Sequence, residues 1–467
     1  MRRSLAFAAT IAVACGARPK APAPSRAELE LHVDARDPSA VRVTGHFRGG
    51  SSRVLALPDE TVPGVTSFEV GTAGAFRRVD PTKIDAPECV RDCDLRYTID
   101  LGKAERSFEG VVSVGDGTFV APTPAWIAHP DPMPPGDMAI TIDGAAEPTD
   151  TFTDVGFATG LRRRDATHYF LPTPDYYEGS FAAFGKLRHR KIEVAGATIE
   201  IVLVGATKLA MDDAAIAKWI ADDAACVAQL YVHFPVPRAT IFVVPIEGSD
   251  TVRFGKVLSL GGASIIALTG ASLPADKTHA DWVVVHEMTH LGFPTMGIRW
   301  LTEGLATYYE PILRERAGWI DARALWKWFV EQMPRGVPDA GSELALDKRD
   351  TIDDIYWGGA IFMLLADVGI RSATDGKKSF DDVMRAVLGK GGDATVAWSL
   401  ARVLAVAREA TGTNVMSDLV QRYGVRGERV DLNALFTELG VVHHGSVTFD
   451  DSAPKAAIRR AMERGGH

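Results

Sequence analysis

Cysteine is scarce in this chain: four in 467 residues, at Cys15, Cys89, Cys93 and Cys226. Two close thiols with no companion cysteines make a poor zinc set, which argues against a thiolate metal module. Positive charge is short as well. The 51 Lys and Arg stand against 60 Asp and Glu, a net charge of -9, which argues against a nucleic-acid partner and leaves no basic patch for anionic lipid. No segment beyond the amino terminus reaches eighteen uncharged apolar residues, the length a membrane-spanning helix needs. Internal repeats are absent, and so is low-complexity sequence outside one Pro/Ala-rich stretch near the start. What the chain does have is 46% hydrophobic residues over 467 positions, enough to bury two or three cores.

The most informative stretch is His286-Glu287-Met288-Thr289-His290. Two histidines four apart on a helix lie about 40° from superposition and roughly 6 Å apart along the axis. Both imidazoles can therefore face one tetrahedral ion. Glu287 sits one step round from His286, placed to take a proton from an attacking water. The preceding Trp282-Val283-Val284-Val285 is apolar and expected to bury this helix. The alternative is a core helix carrying two polar residues. Ten residues on comes Trp300-Leu301-Thr302-Glu303-Gly304-Leu305-Ala306-Thr307-Tyr308-Tyr309-Glu310. Glu303 can be the third protein ligand, which leaves a fourth position for water as hydrolytic zinc sites require; alone it would read as a solvated helix carboxylate. One zinc ion per chain is expected.

These two segments resemble the gluzincin metallopeptidases, particularly the aminopeptidase-N and glycyl-aminopeptidase families. There, HExxH is followed by a spacer and a Trp-Leu-Asn-Glu-Gly-Phe-Ala-like helix that supplies the zinc glutamate. The resemblance covers roughly residues 190 to 440. It implies zinc ligands His286, His290 and Glu303, with Glu287 as the base. Thr302 replaces the usual Asn, and the twelve-residue spacer Leu291 to Thr302 is shorter than the aminopeptidase-N pattern. Asp354-Ile355-Tyr356-Trp357-Gly358-Gly359-Ala360 is similar to the Tyr-x-x-Gly-Ala segment that opens a helix in these peptidases. Tyr356 thereby inherits the role of oxyanion donor, a position worth about 10²–10³-fold in rate. Tyr308 and Tyr309 are rival donors, ranked below it as residues beside the ligand helix. Glu310, two helical turns after Glu303, matches the carboxylate that ends the family's glutamate helix and is the candidate for tying that helix to a ligand; a solvated carboxylate is the alternative. The family also carries a Gly-x-Met-Glu-Asn strand whose acid binds the substrate amine. Its expected counterpart here runs from Leu260 to Leu268, with Gly261, Gly262 and Ala263 as the substrate-strand candidates and no acid among them. Peptide-bond hydrolysis is implied, with exo- or endo-specificity left open.

Met1-Arg2-Arg3, the apolar run from Leu5 to Ala14 and Ala12-Val13-Ala14-Cys15-Gly16 resemble a bacterial lipoprotein signal, in which Cys15 is the lipidated residue. Residues 16–27 then read as a Pro/Ala-rich tether. Export to the periplasm or outer membrane as a lipoprotein is expected, with soluble secretion as the alternative, and the lipid as the only membrane contact. Cys89 and Cys93 are a disulfide candidate in such an oxidising compartment, and Cys226 is expected to be a buried apolar filler.

Short alternating segments such as Leu29-Glu30-Leu31-His32-Val33 and Val41-Arg42-Val43-Thr44-Gly45-His46-Phe47 predict an antiparallel β domain over 28–190. A mixed strand and helix pattern predicts a thermolysin-like zinc domain over 191–311. Helical periodicity predicts a helical domain over 312–445 that completes the cleft, and 446–467 reads as a tail. The fold class is thus α+β and multi-domain. His129, His168, His189, His233, His279, His443 and His444 lack partners at metal spacing and read as surface or satisfied core histidines. Arg162-Arg163-Arg164 reads as a solvated loop. A zinc metallopeptidase acting on a peptide or protein is the reading carried forward. A catalytically silent, metal-stabilised surface binding protein and a zinc hydrolase of a non-peptide bond stay open beside it.

Overall fold

The computed structural model describes residues 28–49, 52–339 and 341–464. The export signal, Cys15 and the tether lie outside the described residues. Among the described residues no helix is long and apolar enough to cross a membrane.

The chain opens as an eight-stranded sheet in the order Arg162–Arg163, His168–Pro172, Asp137–Asp143, Glu28–Asp34, Val41–Arg48, Asp92–Ile99, Val65–Thr72, Ala75–Arg78. In Glu28–Asp34 the residues Leu29, Leu31 and Val33 are buried, and Glu28, Glu30 and His32 between them are exposed. That period of two is what a sheet with one packed and one wet face demands. The packed face meets Trp126, whose ring stands edge-on to Phe157 and Phe184 at 6.1 and 5.5 Å. Cys89 and Cys93 are joined as a disulfide, Cα to Cα 4.7 Å. The arginine run is not the solvated loop expected of it. Arg163 is buried between Glu147 and Glu200, and Arg162 donates to the carbonyls of Leu260 and Thr395. The run reads as polar because its partners lie far away in sequence.

A second eight-stranded sheet runs Val252–Leu258, Ser264–Gly270, Arg238–Ile246, Ala197–Val204, Phe181–Val194, Phe119–Pro122, Val112–Ser113, with Thr153–Thr159 paired beside Phe181–Val194. Its three middle strands are parallel. Helix Asp213–Tyr231 connects two of them, capped by Asp212 accepting from the Ala215 N–H. Arg238–Ile246 is buried at seven consecutive positions, as a strand covered on both faces must be. Val252–Leu258 is the antiparallel edge.

From Val283 onward the chain is mainly helical. The glutamate helix Arg299–Arg316 packs on Gly359–Ala373 backbone to backbone: a Cβ on Gly304 would sit 2.3 Å from Gly359. Only glycine permits that approach. The expected boundaries at 190/191, 311/312 and 445/446 fall inside a strand, a helix and the hairpin of Val441–His443 with Val447–Phe449. Val112–Ser113, Phe119–Pro122 and Thr153–Thr159 already belong to the second sheet, while Asp137–Asp143 and His168–Pro172 lie in the first. Residues 446–464 are no tail: Ala456–Arg464 returns to the glutamate helix, where Arg316 donates to the Met462 carbonyl at 2.8 Å. Pattern switches along the sequence do not register strand pairing, so the boundaries drawn from them miss it. The overall class, a β-rich amino-terminal region followed by a helical carboxy-terminal part, matches the expected α+β organisation.

Candidate metal centre and cleft

The helix Val283–His290 enters a dense core, with Val283, Val284, Val285 and Met288 all buried. Its first amide is held by Asp281, whose carboxylate accepts from the N–H groups of Val283 at 2.8 Å and Val252 at 2.9 Å. One side chain thus joins the start of this helix to the edge strand. Asp281 was not singled out from the sequence, although an Asp just ahead of an apolar helical run is a recognisable start signal.

His286 and His290 project from this helix toward Glu303 on the glutamate helix. The Nε2 atoms of both histidines lie 3.4 Å from Oε2 of Glu303. The three ligand atoms all fall within 4.8 Å of one another, the only such group of three His, Cys, Asp or Glu side chains among the described residues. Zinc bonds of 2.0–2.2 Å in a tetrahedron put neighbouring donors about 3.4 Å apart. Two imidazole nitrogens each 3.4 Å from one carboxylate oxygen fit zinc, and His290 and Glu303 line the cleft.

The charges in this set are mutually arranged. Burial works against ionised Glu303, but His290 and His286 outweigh it and hold the carboxyl well below its usual range. Burial lowers the His286 pKa, and the other contributions do not reverse it. At His290 burial also opposes the charge, yet Glu303 and then Glu287 carry the shift upward. Burial pushes Glu287 up to about 7, within the range where a carboxylate can both take and return a proton near neutrality.

Tyr356 lies in a π-type turn, Asp354–Gly358, at the head of Gly359–Ala373. Such turns concentrate at functional sites. Its ring stacks on His286 at 5.8 Å and 12°, and Trp282 meets His286 edge-on at 5.5 Å. Burial, then Glu303 and Glu287, raise the Tyr356 pKa, so the phenol stays a neutral donor. The Gly304–Gly359 contact is what brings Tyr356 over Glu303. Tyr308 and Tyr309 are spent elsewhere, donating to Asp367 at 3.0 Å and Asp381 at 2.9 Å in the core.

Two sequence assignments need correction. Glu310 touches no ligand. It accepts from Arg314 at 2.6 Å, and Arg314 donates on to the carbonyls of His279 and Ala280. The pair clamps the glutamate helix to the segment leading into the histidine helix. The substrate-strand candidates are also misplaced. Gly261, Gly262 and Ala263 form a turn packed on Gly179 and Gly160, where Gly261 donates to the Gly179 carbonyl at 2.8 Å. The strand that follows them lies inside the sheet. The edge strand Val252–Leu258 lines the cleft instead, and Gly255 is pressed against Glu287. A glycine inside a strand pattern marks such a close approach, but Leu260 to Leu268 is the more apolar run and drew the assignment. No acid occupies Val252–Leu258 either.

The cleft encloses about 420 Å³, walled by Phe254, Lys256, Val257, Phe293, Met296 and Arg299 around Glu287, His290, Glu303 and Tyr356. Among the described residues, the histidines outside the metal set do not line it. His189 pairs with Glu200 at 2.9 Å, and His279 with Asp222 at 2.8 Å while stacked on Trp319.

No protein-family model matches the chain, and no curated protein matches it. Solved structures do. An aminopeptidase N family protein from Idiomarina loihiensis superposes with a TM-score of 0.64 at 14% identity, over 89% of this chain and 78% of that one. An M1 zinc metallopeptidase from Deinococcus radiodurans gives 0.47 at 16% identity, over 87% and 94%. A variant of a two-domain M1 zinc metallopeptidase bound to L-arginine gives 0.49 at 15%, over 87% and 94%. At such identities the likeness is one of fold. The chain has an aminopeptidase-N-like fold.

Proposed function

We propose that this protein is a zinc-dependent peptidase. The observation that carries the reading is the convergence of His286, His290 and Glu303 at tetrahedral spacing, with Glu287 and Tyr356 beside them in the same cleft. A bound zinc ion supplies Lewis acidity, which polarises a carbonyl and makes water acidic enough to lose a proton near neutrality. The edge strand Val252–Leu258 suits an extended peptide, whose backbone would pair with its outer side. Glu287 takes the proton of the attacking water and returns it to the leaving amine, so that C–N cleavage is balanced by one water consumed. Tyr356 donates its hydroxyl hydrogen bond to the carbonyl oxygen as negative charge builds there. Trp282 and the Tyr356 ring pack against His286, which is buried, and hold it in place.

The neighbour's name gives further support, since the Idiomarina loihiensis chain that superposes at 0.64 is called an aminopeptidase N family protein. An intact, buried Glu287 favours catalysis over a silent metal site, which has no use for a base. Export as a lipoprotein is part of the same proposal, supported by the basic and apolar start and Cys15. The test is hydrolysis of a peptide library with free and blocked amino termini by the zinc-loaded protein. Cleavage lost with chelation and restored by zinc supports the reading. No cleavage of any member by protein holding one zinc per chain refutes it.

A further inference from the structure

The cleft carries two cations that the chemistry above does not use. Lys256 lies on the edge strand beside Gly255, and Arg299 opens the glutamate helix one turn before Glu303. They stand on different walls of one cleft. Lys256 is near enough to Glu287 to stabilise its carboxylate, and Arg299 acts in the same way on the Tyr356 oxygen. Neither has an ion-pair or hydrogen-bond partner among the described residues. In a chain with nine more acids than bases, two cations left unpaired at one site are notable, because surplus carboxylates were available to neutralise them. Besides Glu287 and Glu303 the cleft is lined by one further acid, Glu178, whose side chain is likewise unpaired among the described residues. On the floor a bound zinc ion would balance the two carboxylates of Glu287 and Glu303, and on the walls Lys256 and Arg299 outnumber Glu178, which leaves them net positive.

We propose that Lys256 and Arg299 select substrates bearing a carboxylate next to the scissile bond. Taking the ligand to be a peptide rests on the peptidase reading. The carboxylate has two sources, an acidic side chain or the free carboxy terminus of a short peptide. Arg299 offers a planar fork that fits a carboxylate with two hydrogen bonds, and Lys256 offers a point charge. Both groups are exposed, so they are hydrated before binding and lose that water only when a substrate closes the cleft. Charge-assisted hydrogen bonds made on desolvation are worth about 10–100-fold in discrimination. The missing acid on the edge strand points the same way: a carboxylate there would have neutralised Lys256.

The experiment uses the full zinc-loaded chain and matched peptides. One pair differs by Glu against Gln beside the scissile bond, and a second pair by a free against an amidated carboxy terminus. The expected result is a kcat/KM ratio of about 10 or more in favour of the carboxylate in at least one pair, falling with added salt. Lys256→Gln and Arg299→Gln should each shrink that ratio, and the double variant should bring it near one. Lys256→Glu should invert it toward Lys-bearing peptides. Lys208→Gln, in a groove away from the cleft, should leave the ratio as it was, which separates local contact from overall charge. Should Arg299→Gln fold poorly, Lys256→Gln carries the test alone. Binding of the same pairs to zinc-loaded Glu287→Gln, read by calorimetry, separates the two claims. Selective binding without cleavage by the wild type refutes the peptidase reading and keeps the carboxylate site. Cleavage with a ratio near one in both pairs, or a ratio untouched by the variants, overturns the carboxylate site and keeps the peptidase.

Discussion

Glu287, the proposed base, is pressed by the strand beside it, and its role can be tested with one methyl group. A Cβ added at Gly255 would lie 2.5 Å from Cγ of Glu287, and 2.8 Å from both its Oε1 and Val283 Cγ1. Carbon atoms rest about 3.5–4.0 Å apart, so in Gly255→Ala the Glu287 side chain must retreat by about 1 Å. The backbone of Gly255 is not in the left-handed region, and alanine introduces no dihedral strain there. A base displaced by about 1 Å costs on the order of 10²-fold in rate, roughly 2.7 kcal/mol. The expected outcome is a hundredfold drop in kcat on a cleaved peptide, with zinc content and far-UV circular dichroism unchanged, because no ligand is touched. Gly297→Ala is the control: it lies just ahead of the glutamate helix, and its added Cβ would meet nothing within 4 Å. Turnover of Gly255→Ala within threefold of the parent would refute the reasoning, and so would an equal loss in Gly297→Ala.

Tyr356→Phe should lower kcat and kcat/KM together by about 10²–10³-fold while KM and zinc stay nearly constant; Tyr308→Phe, measured in parallel, should cost far less turnover, and the reverse order would overturn the assignment. His290→Ala should abolish zinc retention and activity, and metal analysis finding close to one zinc per chain in that variant would remove His290 from the ligand set. Glu310→Ala strands the Arg314 guanidinium, which is 9% exposed, and losing one partner of a buried pair costs about 3–5 kcal/mol in unfolding free energy. Burial pushes the Glu310 carboxyl up to about 7, so the denaturation is best run near pH 8, where the pair is ionised; a loss under 1 kcal/mol would mean the clamp contributes little. Cys15→Ser should move the protein from the membrane to the soluble fraction of its host, and an unchanged membrane fraction would rule out the lipid anchor.

Much of the site was legible because its signals are local. His286, Glu287 and His290 share one helical turn, and Glu303 stands in a helix whose Trp300, Leu301 and Gly304 mark it out. Tyr356 was found through the glycines after it, and those glycines prove to have a physical task. Gly359 lets its helix touch Gly304, which sets Tyr356 over Glu303. The helical character of the chain from 312 to 445 was likewise visible in its apolar spacing, and helices such as Ala322–Gln332, Gly359–Ala373 and Phe380–Gly389 fall there.

Non-local pairing was not legible. Which strand lies at the edge depends on the order Val252–Leu258, Ser264–Gly270, Arg238–Ile246, and apolarity points to the wrong member. An inner strand is the more hydrophobic because it is covered on both sides, whereas the strand that receives a substrate must keep one side open and some of its residues polar. A search for the edge strand by hydrophobicity therefore selects its neighbour. The same error hid Lys256, which reads along the chain as an ordinary solvated lysine and acquires meaning only where Gly255 meets Glu287. Glu310 failed for a related reason. Its heptad spacing from Glu303 places both on one helix face, but a face is wide, and Arg314 one turn further on is close enough to take the carboxylate first. Spacing within an element predicts which residues share a side; it does not predict which partner arrives from another element, and in this cleft those partners decide what each charge does.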